Sequence, residues 1–148
     1  MKIYLDTCSI HRPLDSRTQI RIALEAEAIL GVLAYCESGQ LELFSSEALE
    51  FEAEQNSNDI RKEYALQVLA KAGERITLNK QMEDRARVFV SLGIMPLDAL
   101  HLACAEIAQA DFFCTCDDKF LKKAKSIVDL GILVVSPIEL IEAIENDG

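Results

Sequence analysis

The sequence predicts an α/β fold with a mostly parallel central sheet. Short apolar runs alternate along the chain with longer segments in which apolar residues recur at helical spacing, the arrangement expected of strands joined by crossover helices. Several of the short runs are almost continuously hydrophobic, which is typical of strands that are covered by helices on both faces. Half of the 148 residues are hydrophobic, enough for one buried core, so we expect residues 1–148 to form a single domain.

Four apolar runs are predicted to be strands, and a fifth segment is predicted to be an extended connection. The strands cover residues 2–5, 41–44, 111–115 and 131–135, and the extended connection covers residues 75–78. The segment 11–16, which follows the first strand, is polar and contains a proline, so we predict a loop there.

Seven segments show the apolar spacing of helices. The residues that mark where these helices begin or end are, in chain order, Ile22, Ser38-Gly39, Ser45 or Ser46, Asn58 or Asp59, Gly73, Gly93, Pro96 and the capping box Ser136-Pro137-Ile138-Glu139. The helix that begins at Pro96 carries apolar or small side chains on nearly every face, so we expect it to be buried in the core.

Net charge and composition restrict the possible functions. The formal net charge is −10 and the pI is about 4.6, which argues against a broad basic surface that grips nucleic acid. One basic segment, residues 119–125, contains four lysines and could guide a polyanion locally. No apolar run approaches the roughly 18–20 residues that cross a membrane, and Asp6 comes too early for a signal peptide. The five cysteines, an odd number, are expected to be reduced thiols, and we expect a cytoplasmic protein.

Three aspartates are predicted to meet at one edge of the sheet. Asp6 follows the first strand, Asp117 follows a later strand, and Asp98 lies in the first turn of the buried helix. In an open parallel sheet, the carboxyl ends of the strands and the starts of the following helices face the same edge. Judged one at a time, each aspartate also fits a polar turn, a helix cap or a favourable interaction with a helix dipole. Together they predict a site for a cation such as Mg²⁺ or Mn²⁺, because clustered carboxylates repel each other.

Three motifs, in this order, resemble the PIN domain, the fold of VapC-type toxins from bacterial toxin–antitoxin pairs. They are the strand followed by Asp6-Thr7, the helix start Pro96-Leu97-Asp98-Ala99-Leu100-His101-Leu102-Ala103, and the segment Phe113-x-Thr115-x-Asp117-Asp118-x-Phe120. The resemblance extends over essentially the whole chain. It implies a three-layer α/β/α sandwich with a mostly parallel sheet, and a Mg²⁺- or Mn²⁺-dependent endoribonuclease that hydrolyses RNA. It also implies a homodimer and, commonly, a cognate antitoxin protein as partner.

The resemblance also implies which residues form the site. The catalytic acids are Asp6, Glu52, Asp98 and Asp117, and the metal ligands are Asp6, Asp98 and Asp117. The second acid is the least defined, because the count from the helix start favours Glu52 while Glu50 and Glu47 are rivals. The residues expected on the substrate side are Thr7, Arg12, Thr115, Asp118 and Lys119.

Two alternatives remain open at this point. His101 follows Asp98 by three residues and lies near the same helix face, so a catalytic base is conceivable, but we favour a hydrogen-bonded core histidine. The chain as a whole could be a PIN-like binding or regulatory module with little catalysis, which the acidic net charge and the uncertain second acid support. The three aspartates in matching positions favour the nuclease.

Overall fold

Residues 1–147 of the computed structural model form a five-stranded sheet between helices. The strands are β1 (Lys2–Leu5), β2 (Glu42–Ser46), β3 (Glu74–Ile76), β4 (Phe112–Cys114) and β5 (Leu133–Val135). The α-helices are α1 (Thr7–His11), α2 (Ile20–Glu37), α3 (Glu47–Glu54), α4 (Asp59–Ala70), α5 (Lys80–Ser91), α6 (Pro96–Ile107), α7 (Asp118–Lys125) and α8 (Pro137–Asp147). Together they form a three-layer α/β/α sandwich, so the predicted fold class is confirmed.

The strand order places β1 in the middle of the sheet. The order is β3-β2-β1-β4-β5, and each neighbouring pair is parallel. From β1 the chain adds β2 and β3 on one side, and it then crosses back to add β4 and β5 on the other side. The carboxyl ends of β1 and β4 therefore form the switch point of the sheet, where open α/β folds form a crevice for ligands.

The core is centred on β1 and α6. Three residues of β1, namely Ile3, Tyr4 and Leu5, are completely buried. The helix α6 begins at Pro96 and buries six of its residues, so the prediction that this helix lies in the core is confirmed. It packs mainly against α5, while α2 packs against α8. None of the helices within residues 1–147 is both long and apolar enough to cross a membrane.

The largest difference from the predicted elements comes directly after β1. Instead of a strand end followed by a loop, Thr7–His11 forms α1 and Arg12–Leu14 forms a 3-10 helix. Asp6 caps α1, because its carboxylate accepts a hydrogen bond from the Ser9 amide at 3.0 Å. The proline of this segment lies in the first turn of the 3-10 helix, where a missing N–H costs nothing. The loop prediction was wrong because the polar residues and the proline that stop a strand also start a helix.

Most helix starts follow the capping signals. Ser46 caps α3 and Asn58 caps α4, and in each case the side-chain oxygen accepts an amide hydrogen from three residues ahead, at 3.0 and 3.1 Å. Ser136 and Glu139 exchange hydrogen bonds of 3.0 and 3.2 Å, so the predicted capping box at α8 is confirmed. The exception is α2, which begins at Ile20, two residues before the predicted start. Because Ile20 is 80% exposed, the apolar spacing of the buried face does not include it.

Of four further predictions about individual elements and their bounds, two were wrong and two were confirmed. The helix α4 ends at Ala70 rather than at Gly73, which lies directly before β3 where an added Cβ would stand 2.9 Å from Cγ of Glu42. The last apolar run forms a strand only from Leu133 onward, and Leu133 is 64% exposed, so this edge strand is not covered on both faces. Gly93 ends α5 with a φ of 98°, as predicted, and the predicted extended connection is the edge strand β3.

Candidate active site

A cavity of about 170 Å³ lies at the switch point of the sheet, beyond the carboxyl ends of β1 and β4. Four acidic side chains from four different parts of the chain line it, namely Asp6, Glu52, Asp98 and Asp117. The remaining lining residues are Thr7, Cys8, Arg12, His101 and Cys116. The fold therefore brings the four predicted acids to one cavity.

Asp6 is the first residue after β1 and is only 5% exposed. Its amide donates a hydrogen bond to the Cys114 carbonyl at 3.1 Å, which joins the ends of β1 and β4. Its Oδ1 accepts hydrogen bonds from the Ser9 amide at 3.0 Å and from Cys8 Sγ at 3.1 Å. Burial raises the pKa of Asp6 above its usual value, although hydrogen bonds, including one from Thr115, act in the opposite direction. Asp6 is therefore a carboxylate that is held in one orientation and poorly solvated.

Asp98 lies in the first turn of α6, two residues after the proline that starts the helix. Burial, followed by the negative charge of Asp6, raises the pKa of Asp98 to about 6. The charges of Asp117 and Glu52 contribute in the same direction, while His101 opposes it. The carboxylates thus repel one another across the cavity, and this negative charge is not fully compensated by the protein.

Asp117 is the N-cap of α7, and its Oδ1 accepts a hydrogen bond from the Phe120 amide at 3.1 Å. The backbone amide of Asp117 donates to Thr115 Oγ1, also at 3.1 Å. Thr115 is completely buried, so its hydroxyl supports the segment that carries Asp117 and is not accessible to a substrate. Helix capping and a place in the cavity, which we considered as alternatives for Asp117, therefore occur together.

Glu52 projects into the cavity from α3 and is held there by two hydrogen-bond donors. Thr7 Oγ1 donates to Glu52 Oε1 at 2.5 Å, and His101 Nε2 lies 2.8 Å from the same oxygen. Burial by itself raises the pKa of Glu52, but the hydrogen bonds from His101 and Thr7 together outweigh it, so the pKa is lowered. Glu52 is therefore ionised at neutral pH.

The two rivals of Glu52 lie in a different groove, between α3 and α4. Glu50 forms a bidentate ion pair with Arg75, with Nη2 at 2.8 Å from Oε1. Glu47 Oε1 accepts a hydrogen bond from the Leu78 amide at 2.7 Å. Both side chains line this second groove and neither lines the cavity of the aspartates.

Two charged residues expected on the substrate side are already paired. Arg12 lines the cavity, but its Nη1 lies 2.9 Å from Asp15 Oδ2 and its Nε lies 3.2 Å from Oε1 of the buried Glu25. Asp118 does not line the cavity, and its carboxylate is bound by the two terminal nitrogens of Arg21 at 2.6 and 2.5 Å. Asp118 thus forms an exposed ion pair with Arg21.

The lysine-rich segment is less basic than its composition indicates. Lys123 donates to a backbone carbonyl at 2.7 Å, and Lys125 forms an ion pair of 2.7 Å with a glutamate of α8. Within the described residues, Lys119 and Lys122 have no such partner. Lys119 and Lys123 both line a groove next to the cavity, together with Asp98 and Asp117, and of these two lysines Lys119 is the one without such a partner.

Two cavity residues, Cys8 and Cys116, were not anticipated from the sequence, which predicted only that the cysteines are reduced thiols. The Cys116 amide donates to Cys8 Sγ at 3.4 Å. Contact with Cys116, burial and the nearby carboxylate of Asp6 raise the pKa of Cys8, so this thiol stays protonated and is a poor nucleophile. The available signal was positional, because each cysteine stands within two residues of an acid that follows a strand.

The donors around the cavity fit a hard divalent cation. Carboxylate oxygens are the preferred ligands of Mg²⁺ and Mn²⁺, and a cation would relieve both causes of the raised pKa of Asp98, which are burial first and then the charges of the neighbouring carboxylates. Among residues 1–147, no three His, Cys, Asp or Glu side chains converge into a ready-made metal cluster. This separation is compatible with Mg²⁺, which usually keeps several waters and is bound by one or two carboxylates.

Known proteins share this fold. The family model for the PIN domain matches residues 3–126, a range that includes all four acids of the cavity. A comparison with curated proteins finds no match. Among solved structures, VapBC2 from Rickettsia felis bound to a DNA fragment from their promoter aligns with a TM-score of 0.62 at 13% identity, covering 92% of this chain and 98% of that chain.

Two further structures give similar alignments. VapBC-1 from nontypeable Haemophilus influenzae aligns with a TM-score of 0.60 at 15% identity, over 93% of this chain and 99% of that chain. FitAcB from Neisseria gonorrhoeae aligns with a TM-score of 0.56 at 17% identity, over 92% and 98%. At these identities the structures share the fold, and the family assignment comes from the sequence match over most of the chain. This chain therefore belongs to the PIN domain family, whose members are generally nucleases.

Proposed function

We propose that this protein is a Mg²⁺- or Mn²⁺-dependent endoribonuclease that hydrolyses phosphodiester bonds of RNA. The observation that carries the proposal is the convergence of four carboxylates, from β1, α3, α6 and the β4–α7 connection, on one cavity at the switch point of the sheet. The arginine that lines this cavity is already paired with two other carboxylates, so the acids are not neutralised by the protein. Such a site attracts a cation.

The proposed roles of the acids follow from their contacts. Asp6, Asp98 and Asp117 would hold the cation, and Glu52 would complete the set of oxygen donors. When bound, a divalent cation supplies the charge that activates water and offsets the negative charge developing at phosphorus. The protein contributes carboxylates that are held in place before substrate arrives, since Asp6 is fixed by the Ser9 amide and Glu52 by the Thr7 hydroxyl.

The route of the RNA is proposed from the few cations near the cavity. Arg12 lines the cavity, and Lys119 lines the neighbouring groove to which Asp98 and Asp117 also contribute. Together with a bound cation, Lys119 would offset the repulsion between a phosphate backbone and a protein of net charge −10, while Arg12, which is paired with Asp15 and Glu25, would contribute less. Because so few cationic side chains are involved, only a modest dependence of binding on ionic strength is expected.

We further propose that the protein is the toxin of a toxin–antitoxin pair and acts in the cytoplasm as a homodimer with a cognate antitoxin. Its structural neighbours include VapBC proteins, which are toxin–antitoxin proteins, and this supports an antitoxin partner. Exposed apolar side chains at the end of α5 and just after it, such as Leu92 and Met95, provide a surface that a second subunit could cover. Light scattering of the purified protein tests the dimer.

Cleavage of a mixed single-stranded RNA pool tests the enzymatic proposal. We expect cleavage with Mg²⁺ or Mn²⁺, none with EDTA, and none by Asp98→Asn, because Asn cannot supply the negative charge that holds the cation. Asp84→Asn is the matched control, since Asp84 is an exposed acid on α5 that pairs with Lys80 and lies outside the cavity. Undiminished cleavage by Asp98→Asn would reject the site. A folded, metal-loaded wild type that cuts no RNA would favour the binding-module alternative.

A further inference from the structure

A buried chain of hydrogen bonds runs behind Glu52 through three structural elements. Ser46 Oγ lies 2.8 Å from Tyr4 Oη, Tyr4 Oη lies 2.6 Å from His101 Nδ1, and His101 Nε2 lies 2.8 Å from Glu52 Oε1. Ser46 and Tyr4 are completely buried and His101 is 1% exposed. These groups are therefore shielded from bulk water and must satisfy one another.

The donors and acceptors of this chain are assigned from its Glu52 end, with the imidazole in its neutral form. The Glu52 carboxylate only accepts, so His101 Nε2 must carry the hydrogen. Nδ1 of a neutral imidazole then accepts from the Tyr4 hydroxyl, and the Tyr4 oxygen accepts from the Ser46 hydroxyl. The Ser46 oxygen itself accepts from the Leu49 amide at 3.0 Å, so every group in the chain has a partner in one consistent direction.

The two carboxylate oxygens of Glu52 differ in their hydrogen bonds. Both donors, Thr7 Oγ1 and His101 Nε2, reach Oε1. Among the described residues, no side chain or amide donates a hydrogen bond to Oε2. Two donors on one oxygen fix the orientation of the carboxylate plane, and they leave the other oxygen available to the cavity that Glu52 lines.

We propose that His101 is a positioning residue, which anchors Oε1 of Glu52 through Nε2–H and thereby presents Oε2 to the cavity. Tyr4 satisfies the other nitrogen of this tautomer, because its hydroxyl is placed to donate to Nδ1. His101 thus acts through Glu52 and does not itself contact a substrate. The catalytic consequence rests on the proposed function, but the tautomer and the anchoring do not.

Nuclear magnetic resonance of the imidazole nitrogens in the metal-free protein tests the tautomer directly. We expect His101 as the Nε2–H tautomer in the wild type. In Tyr4→Phe, which removes only the hydroxyl, we expect the Nδ1 resonance to shift because Nδ1 loses its hydrogen-bond donor, while Glu52 still holds the hydrogen on Nε2. His11 is the internal control, because its buried Nε2 lies 3.1 Å from the Arg61 carbonyl, so it must donate there and should not respond to Tyr4→Phe. A wild-type His101 that is mainly the Nδ1–H tautomer would overturn the proposal.

Two substitutions of His101 test whether it acts through Glu52. Gln places an amide near the position of Nε2 and can still donate to Glu52, whereas Asn places its amide near Nδ1 and cannot reach it. We expect Mn²⁺ affinity, measured by calorimetry, to fall about 10-fold in His101→Asn and to be largely kept in His101→Gln. Circular dichroism and thermal unfolding check that both variants are folded. Equal losses in both folded variants would contradict the anchoring role.

A double-mutant cycle separates positioning from a general structural effect. If His101 acts through Glu52, His101→Asn should lower Mn²⁺ affinity no further in a protein that already carries Glu52→Gln. Additive losses would reject the proposal. If the wild type cuts no RNA but the tautomer and the non-additivity are observed, the nuclease proposal fails while the positioning role of His101 stands.

Discussion

The helix α3 carries acids on two opposite faces, and the acids on the two faces have different kinds of partner. Glu47, Glu50 and Glu54 are three and four residues apart and share one face, whereas Glu52 lies on the other. Exposure does not distinguish them, since the side chains of Glu50 and Glu52 are 34% and 32% exposed. Their partners do. Glu50 is paired with the guanidinium of Arg75, while Glu52 accepts hydrogen bonds from a hydroxyl and an imidazole.

This difference separates a structural carboxylate from one that is available for chemistry. A guanidinium cancels the charge of its partner and occupies both oxygens, as Arg75 does with Glu50. Donors placed on one oxygen hold a carboxylate in position and leave its second oxygen free, as Thr7 and His101 do with Glu52. The acids of the cavity also repel one another, which prepares the site for a cation.

The largest effect is expected on RNA cleavage, from a substitution on the cavity face of α3. Glu52→Gln should lower metal-dependent RNA cleavage by about 100-fold, because it removes an oxygen donor with negative charge from the site. Glu50→Gln is the matched control on the same helix and should cleave as the wild type does, because Glu50 faces another groove. Both rates are measured with the same RNA pool and Mn²⁺. The reverse pattern would make Glu50 the functional acid.

A smaller effect is expected on the free energy of unfolding when the charge of Asp98, which is partly buried and repelled by the other acids, is removed. The pKa of Asp98 is raised to about 6, so the folded protein binds this proton more tightly than the unfolded chain does. Asp98 therefore lowers the free energy of unfolding progressively as the pH rises from about 4 to about 6. Without metal at pH 7.5, Asp98→Asn should be more stable than the wild type by about 1 kcal/mol, a value reduced for the partial exposure of Asp98.

Urea unfolding in EDTA at several pH values measures this difference. The stabilisation by Asp98→Asn should shrink as the pH falls from about 6 and disappear below about pH 4, where the wild-type carboxyl becomes protonated in the unfolded as well as the folded state. Addition of Mn²⁺ should reverse the order at pH 7.5, because a cation stabilises only the protein that binds it. A stability difference independent of pH would show that the charge of Asp98 is not its origin.

The smallest effect is expected on thermal stability, from a substitution that removes the partner of Glu50 on the other face of α3. Arg75→Gln removes the partner of Glu50 and leaves three neighbouring glutamates on one helix face. Because the pair is exposed to solvent, we expect only a slight fall in the midpoint of thermal unfolding at low salt, and none at high salt. Cleavage should not change. A loss of cleavage would mean that the α3–α4 groove contributes to the active site.

Local signals were sufficient to predict the sheet, seven of the eight helices within residues 1–147 and three of the acids. Asp6 and Asp117 directly follow strands and Asp98 follows a helix-starting proline, so parallel topology alone predicts that they share an edge. The loop predicted at 11–16 was wrong, because polar residues after a strand favour a turn and a helix cap equally. Asp6 forms that cap while also lining the cavity.

The sequence by itself determined the fold class and the presence of an acidic edge, because hydrophobic periodicity and capping residues act over a few neighbouring positions. Only the tertiary structure distinguished Glu52 from Glu50, since both acids lie on one helix and their roles depend on partners 45 and 25 residues away along the chain. The buried chain from Ser46 to His101 was likewise decided by tertiary structure. Its members come from β2, β1 and α6, and no local pattern specifies which polar side chains meet in a core.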